Sequence, residues 1–319
     1  MKDVIFARVA ADRISRQPPF LLSWGRDPAG LKESLERVGQ ISPLLLWPSQ
    51  DRLEIVCGVR RYKIGREIGL TEYKALLLPD NVTEVEALLL ALEDNLGQRD
   101  FNDAEKVLAV NHLGRHFQVE EITSRFLPRL GLPPKPEFLR RYLGLSGLGE
   151  AGLDALAQGR LDPETGEFLL ELRLPDWMEF LNLNDRLGFN RNQRRQALSW
   201  LEEIGRREEM SFHQILASED IISLLDAEKP GRADKEKMVR AALRARRYPR
   251  LARLEADRAE RIKVLDLPAG LRLDLPRNFE GLNFTLGIDF SDEAALSRGI
   301  EAATRLTADR RLKDLLELG

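Results

Sequence analysis

The residues best placed to do chemistry lie in Gly58-Val-Arg-Arg-Tyr62, directly after the apolar run Leu53–Cys57. A short apolar, β-branched run of this kind is a buried strand, and the glycine ends it. Arg60 then opens a helix whose apolar residues, Ile64 and Ile68, recur at helical spacing. The first turn of any helix carries unpaired backbone N–H groups and the positive end of its dipole, so it favours a bound anion. Arg60 and Arg61 oppose that dipole and are not needed for helix formation. A phosphate cradle made by Gly58, Arg60 and Arg61 and a solvated basic helix start fit this local pattern equally well. Cys57 has no histidine near it in sequence, which makes it a small buried residue and not a nucleophile. As the single cysteine it permits no disulfide framework and points to a reducing compartment.

The elements around this turn alternate between helix and strand. Strand Val4–Val9 leads to loops at Pro18-Pro19 and at residues 25–30. Helix Leu31–Val38, strand Leu44–Trp47, turn Pro48–Asp51, strand Leu53–Cys57, helix Arg60–Ile68 and strand Ala75–Leu78 follow. Thr83 with Glu86, and Asn102 with Glu105, are capping boxes that open two more helices. This is a small α+β unit over residues 1–118. From Val119 the pattern is all-helical to residue 263. Helix Val119–Leu130 stops at Gly131, three prolines mark a turn, and Glu137–Leu143 is a second helix carrying Arg140 and Arg141. Helix, tight turn and basic helix is the layout of a helix-turn-helix, with Lys135, Arg140 and Arg141 facing DNA; an ordinary helical hairpin has the same outline. Another helix starts near Asn190, and its Arg191, Arg194 and Arg195 are either further phosphate contacts or a solvated helix start. Across Arg232–Lys263 there are 12 basic against 5 acidic residues, a local excess in a 319-residue chain whose net charge is −3. Over residues 264–319 two alternating strands, Leu271–Leu275 and Asn283–Phe290, precede a helix N-capped by Ser291 and striped by Leu296, Ile300 and Leu306. Two strands and a helix cannot bury a core alone, so this module pairs with something. No segment reaches the ~18 apolar residues that span a bilayer, which with the cysteine usage predicts a cytoplasmic protein.

Three segments, in order and at similar spacing, resemble the nucleotide-binding domain of the ParB family. Gly39-Gln-Ile-Ser-Pro43 is similar to that family's helix-to-strand segment, and Gly58-Val-Arg-Arg-Tyr62 to its Gly-Glu-Arg-Arg phosphate motif. Asp94-Asn95-Leu96 with Asn102-Asp-Ala-Glu105 is similar to its Glu-Asn-Leu and Pro-x-Glu segment. The resemblance implies a ParB/sulfiredoxin-like fold followed by a helix-turn-helix domain and a small ββα dimerisation module. It implies CTP held by Gln40, Pro43, Gly58, Arg60, Arg61 and Tyr62, with Mg²⁺ on Asp94 and Asn95. It further implies a homodimeric, CTP-gated DNA clamp that works with a ParA-type ATPase on the nucleoid, and no membrane. Val59 stands where the family has a glutamate associated with hydrolysis, and valine can neither orient water nor accept a proton. Nucleotide turnover is therefore expected to be weak. Asp94 replaces a metal-associated glutamate and remains a hard oxygen ligand. The family's glutamine-arginine pair lies one residue earlier than Gln98-Arg99 does here, so Arg99 receives no role. The rival reading is a nucleotide-independent DNA-binding regulator. A nuclease on this fold lacks its compact acidic cluster, a sulfiredoxin-type enzyme its loop cysteine and a kinase its loop histidine.

Overall fold

In the first strands apolar residues alternate with polar or half-exposed ones, and this period of two decides which face is buried. The computed structural model describes residues 4–25, 30–49, 52–265, 267, 270–274 and 284–316. Its chain divides into two units, Met1–Leu198 and Ser199–Gly319. In the first, β1 (Ile5–Ala10), α1 (Leu31–Val38), β2 (Leu44–Ser49), β3 (Arg52–Cys57), α2 (Val59–Glu67) and β4 (Glu72–Leu77) build a four-stranded sheet of order β1-β4-β2-β3. β2 runs parallel to β4, while β1–β4 and β2–β3 are antiparallel. Leu44 and Leu46, Leu53 and Ile55, and Tyr73 and Ala75 point to one face, where Val59 and Tyr62 of α2 cover them. Each such large side chain contributes about 1.5–3 kcal/mol by leaving water.

These strands and helices match the sequence expectations, with two shifts. Pro48 and Ser49 belong to β2, and β4 starts three residues earlier than expected, at Glu72, because Tyr73 is a core residue. Residues 26–29 of the expected loop and 50–51 of the expected turn lie outside the described residues.

α3 (Glu84–Leu96) and α4 (Asp103–Leu113) follow, each opened by the capping box expected of it. α3 packs on β3, and α4 packs on later helices of the same unit. The stretch after Gln118 is not one α-helix. α5 (Val119–Glu121) widens into a π turn over Ile122–Phe126, with the Leu127 amide donating to the Ile122 carbonyl, and ends in a tight turn at Pro128–Leu130. Pro128 has no N–H to continue the α ladder, and the hydrogen bonds rearrange around it. Gly131 leads into α6 (Pro136–Gly144), α7 (Gly149–Ala157), α8 (Pro163–Leu169), α9 (Leu174–Leu187) and α10 (Arg191–Glu208), whose last turns lie in the second unit. No described helix is long and apolar enough to cross a membrane.

The second unit continues with α11 (Phe212–Leu216), α12 (Glu219–Asp226), α13 (Arg232–Arg247) and α14 (Pro249–Val264), then β5 (Leu271–Asp274), β6 (Thr285–Ile288), α15 (Glu293–Thr307) and α16 (Arg310–Leu316). β5 and β6 pair antiparallel. Their small core of Leu265, Leu271 and Leu306 draws on α14 and α15 as well. Asp292, not Ser291, caps α15, accepting from the Ala295 amide at 2.7 Å. Leu275 and Asn283, the inner ends of the expected strands, lie outside the described residues.

Candidate functional site

Gly58 makes the turn from β3 to α2 at φ +96°, a conformation that L side chains rarely adopt. A Cβ there would also meet Leu44 Cδ2 at 2.7 Å. The turn therefore requires glycine, and with the first residues of α2 it lines a cavity of about 260 Å³. Phe20, Leu22, Leu31 and Val59 are part of its apolar lining, and Arg60, Arg61, Asp94, Asn95, Gln98 and Arg99 part of its polar lining. Both helix ends carry charges that oppose their dipoles. α2 has two arginines and no acid in its first turn, and α3 has Asp94 and no base in its last. Neither arrangement is favoured by the helix dipole.

Of the residues singled out from sequence, Gly58, Arg60, Arg61, Asp94 and Asn95 are brought together here. Arg61 is braced by the β2 entry, its Nη1 donating to the Ser42 and Pro43 carbonyls at 2.8 and 2.6 Å. Pro43 thus contributes a carbonyl to Arg61 and no part of the cavity wall. Two other expectations are corrected. Tyr62 is 3% exposed in the sheet core, its ring 5.2 Å from that of Tyr73, because the second residue after Arg60 on a helix turns inward. Gln40 is 8% exposed and spends its amide on β4, accepting from the Lys74 amide at 2.7 Å and donating to the Lys74 carbonyl at 2.8 Å. Neither lines the cavity.

Cys57 is buried on the cavity wall, where desolvation and then the neighbouring Asp94 carboxylate push its thiol well above the usual range. It stays protonated and is no nucleophile. Among the described residues no group of three or more His, Cys, Asp or Glu could hold a metal ion. Asp94 is exposed, with one carboxylate oxygen accepting from Gln98, and Asn95 lines the same cavity with its Nδ2 donating to the Ala91 carbonyl. One carboxylate and one amide oxygen do not suffice for a resident structural metal. They suit Mg²⁺, which keeps several waters and takes its remaining ligands from substrate phosphates.

Two residues that were not singled out for the site from sequence adjoin it. Glu105 is 0% exposed and accepts from the Trp24 and Asn102 amides and from Arg60 and Arg99. Its position in a capping box was visible in sequence, whereas its two guanidinium partners, 45 and 6 residues away, were not. Arg99 and Arg60 line both the first cavity and a second one of about 530 Å³.

The basic residues expected at DNA divide differently. Lys135 and Arg140 are exposed at the start of α6 and on its surface. Arg141 donates to Glu167 at 2.6 Å and lies over the Phe138 ring. Arg191 and Arg195 pair with Glu164 at 2.7 and 3.4 Å while remaining more than half exposed. Arg194 is corrected: at 9% exposed it braces the turn before α8, donating to the Gly159 and Arg160 carbonyls and pairing with Asp162 at 3.3 Å. In the second unit several of these basic residues form ion pairs, such as Arg244 with Glu255 and Arg246 with Glu208.

No family model matches the chain. It is 31% identical over 146 residues to the chromosome-partitioning protein Spo0J of Thermus thermophilus, covering 46% of this chain and 52% of that protein. It is 33% identical over 91 residues to the chromosome-partitioning protein ParB of Myxococcus xanthus, 28% of this chain and 30% of that protein. With the stage 0 sporulation protein J of Bacillus subtilis it shares 28% over 151 residues, 47% of this chain and 51% of that protein. The chain thus spans about half, or less, of the length of these curated relatives. Similar solved structures include C-terminally truncated ParB from Caulobacter crescentus complexed with CTP-gamma-S, at 19% identity and TM-score 0.27, covering 53% of this chain and 94% of that one. A Pnob8-like ParB-N domain is 13% identical with TM-score 0.35, covering 74% and 93%. Scores this low carry no residue-level assignment.

Proposed function

We propose that this chain, a divergent member of the ParB family, is a DNA-binding protein of the partition type whose state is set by CTP bound with Mg²⁺. One observation carries the nucleotide reading. A cavity joins an arginine-bearing helix N-terminus to a carboxylate-bearing helix C-terminus. The two arginines suit phosphates, and the carboxylate suits the cation that accompanies them. Gly58, Arg60 and Arg61 would hold the phosphates, and Asp94 with Asn95 would hold Mg²⁺, whose chemistry there is to neutralise phosphate charge. The apolar wall at Phe20, Leu22 and Leu31 would take the base. Segments 119–130 and α6 act as a helix-turn-helix with Lys135 and Arg140 at DNA, and Arg191 and Arg195 serve as outlying phosphate contacts. The protein works as a homodimeric clamp on the nucleoid, gated by nucleotide, with a ParA-type ATPase as its partner. Hydrolysis is slow, since Val59 places a methyl-bearing wall where a carboxylate would be needed and Asp94 is the sole acid lining that cavity among the described residues.

Calorimetry with CTP, ATP, GTP and Mg²⁺ tests this reading, and selective CTP binding is the expected result. An absence of nucleotide binding would favour the nucleotide-independent regulator, in which Arg61 serves only its two carbonyl partners.

A further inference from the structure

We propose that Trp24 is a positioning residue: through Asp154 of α7 it holds the apolar wall of the nucleotide site in place beside the base. This rests on the nucleotide site proposed above. Phe20, Leu22 and Ser23 line the first cavity, yet residues 20–25 form neither helix nor strand. No ladder of backbone hydrogen bonds fixes that wall, so contacts to other elements must do it.

The segment is anchored at both ends. At its inner end Phe20 and Leu22 are each 2% exposed, and the Phe20 ring lies edge-on to His112 at 6.1 Å and stacked on Trp47 at 6.4 Å. At its outer end the Trp24 amide donates to Glu105 at 3.1 Å, and the Trp24 carbonyl accepts from Asn102 Nδ2 at 3.0 Å, both at the start of α4. The indole Nε1 then reaches across to α7 and donates to Asp154 Oδ1 at 2.9 Å. Gly25 follows at φ +100°, and a Cβ there would lie 3.4 Å from that of Ala157 on the same helix. Nothing in α7 itself calls for Asp154. Aspartate is a poor residue within a helix, and in the last turn the dipole opposes its charge. The contact is also exposed, where a polar pair adds little to the stability of the fold. What it fixes is the position of the cavity wall against α7. Without the acceptor Trp24 can leave α7 while Phe20 and Leu22 stay in the core, and the wall loosens from its outer end. The phosphates, seated on the α2 turn, do not depend on that wall.

The test is calorimetry of CTP and of inorganic tripolyphosphate, each with Mg²⁺, on the full chain and on Trp24→Phe, Asp154→Ala, Asp154→Asn and the Trp24→Phe, Asp154→Ala double variant. Trp24→Phe and Asp154→Ala should each weaken CTP by roughly three- to tenfold, the order of one hydrogen bond. Tripolyphosphate, which has no base, should bind all variants within about twofold of wild type. The double variant should be no weaker for CTP than the weaker single one, because both remove the same contact. Asp154→Asn keeps an oxygen that accepts from the indole, so it should bind CTP like wild type. Equal weakening of CTP and tripolyphosphate, additive losses, or no weakening of CTP would overturn the role of Trp24 and leave the nucleotide site standing. Wild type that binds neither compound would overturn the site itself.

Discussion

Glu105 carries no solvent exposure and accepts from two backbone amides and two arginines. Breaking a buried ion pair from one side leaves the other side uncompensated, at about 3–5 kcal/mol. Arg60 and Arg99 are partly exposed and can rehydrate, so Glu105→Ala should cost about 2–4 kcal/mol in urea unfolding. A loss below about 1 kcal/mol would mean that the carboxylate holds nothing together. His112 provides a second test at this scale. Burial first, then Arg115 and His116, lower its pKa from 6.5 to about 4, and its ring meets Phe20 edge-on. Between those two values the unfolded chain carries a proton that the folded one refuses. The stability linked to His112 is thus complete above about pH 6.5 and is lost as pH falls toward 4. His112→Phe should lose less stability between pH 7.5 and pH 4.5 than wild type, by roughly 1–2 kcal/mol after solvent screening. Denaturant midpoints at the two pH values would measure it, and parallel losses would exclude His112 as the source. The residues that sequence misassigned share one cause. Tyr62 follows Arg61 in the chain but is claimed by the inward turn of α2, and Gln40 is claimed by Lys74 of β4; a linear motif does not encode either contact.

At the scale of elements, α2 and the two capped helices were legible because glycine, capping boxes and period-two strands are local signals. Segment 119–130 was less so: Pro128 was visible, but the way its missing N–H redistributes bonds into a π turn depends on the packing of Ile122 and Phe126. The basic helices α6 and α10 read alike in sequence, and burial separates single arginines on them. Arg140 is exposed on α6, whereas Arg194 is almost enclosed at the start of α10. Arg140→Ala should leave stability within about 0.5 kcal/mol and, as a phosphate contact, flatten the dependence of DNA affinity on salt by about one unit of slope. Arg194→Ala should do the reverse, costing about 2–4 kcal/mol in unfolding with an unchanged salt slope. Titrations at several salt concentrations beside urea unfolding separate the two. If Arg194→Ala alone altered the slope, the DNA face would lie on α10.

For the whole molecule, a net charge of −3 means that attraction to DNA must come from local faces. Many arginines of the second unit are already paired, among them Arg244 with Glu255 and Arg246 with Glu208. The module at its end offers apolar surface instead. Leu286 is 39% exposed, Phe290 57% and Ile300 52%, on β6, just after it, and on α15 respectively. The core beneath them is small, built from Leu265, Leu271 and Leu306 with partly buried neighbours. A two-stranded sheet with so little core is marginal by itself, and burying a further apolar face against a second copy would stabilise it. If this module joins two chains, Ile300→Asp must bury a carboxylate without a partner, which costs at least about 2 kcal/mol for each chain and enters twice in a symmetric pair. The dissociation constant should then rise by roughly a hundredfold or more. In the monomer the same position is half exposed, so the fold of each unit should persist. Sedimentation over a range of concentrations measures the outcome: wild type should remain dimeric at concentrations where Ile300→Asp sediments as a folded monomer. Two dimers of equal strength would place the contact between chains elsewhere, and an unfolded variant would show that Ile300 supports the module from within.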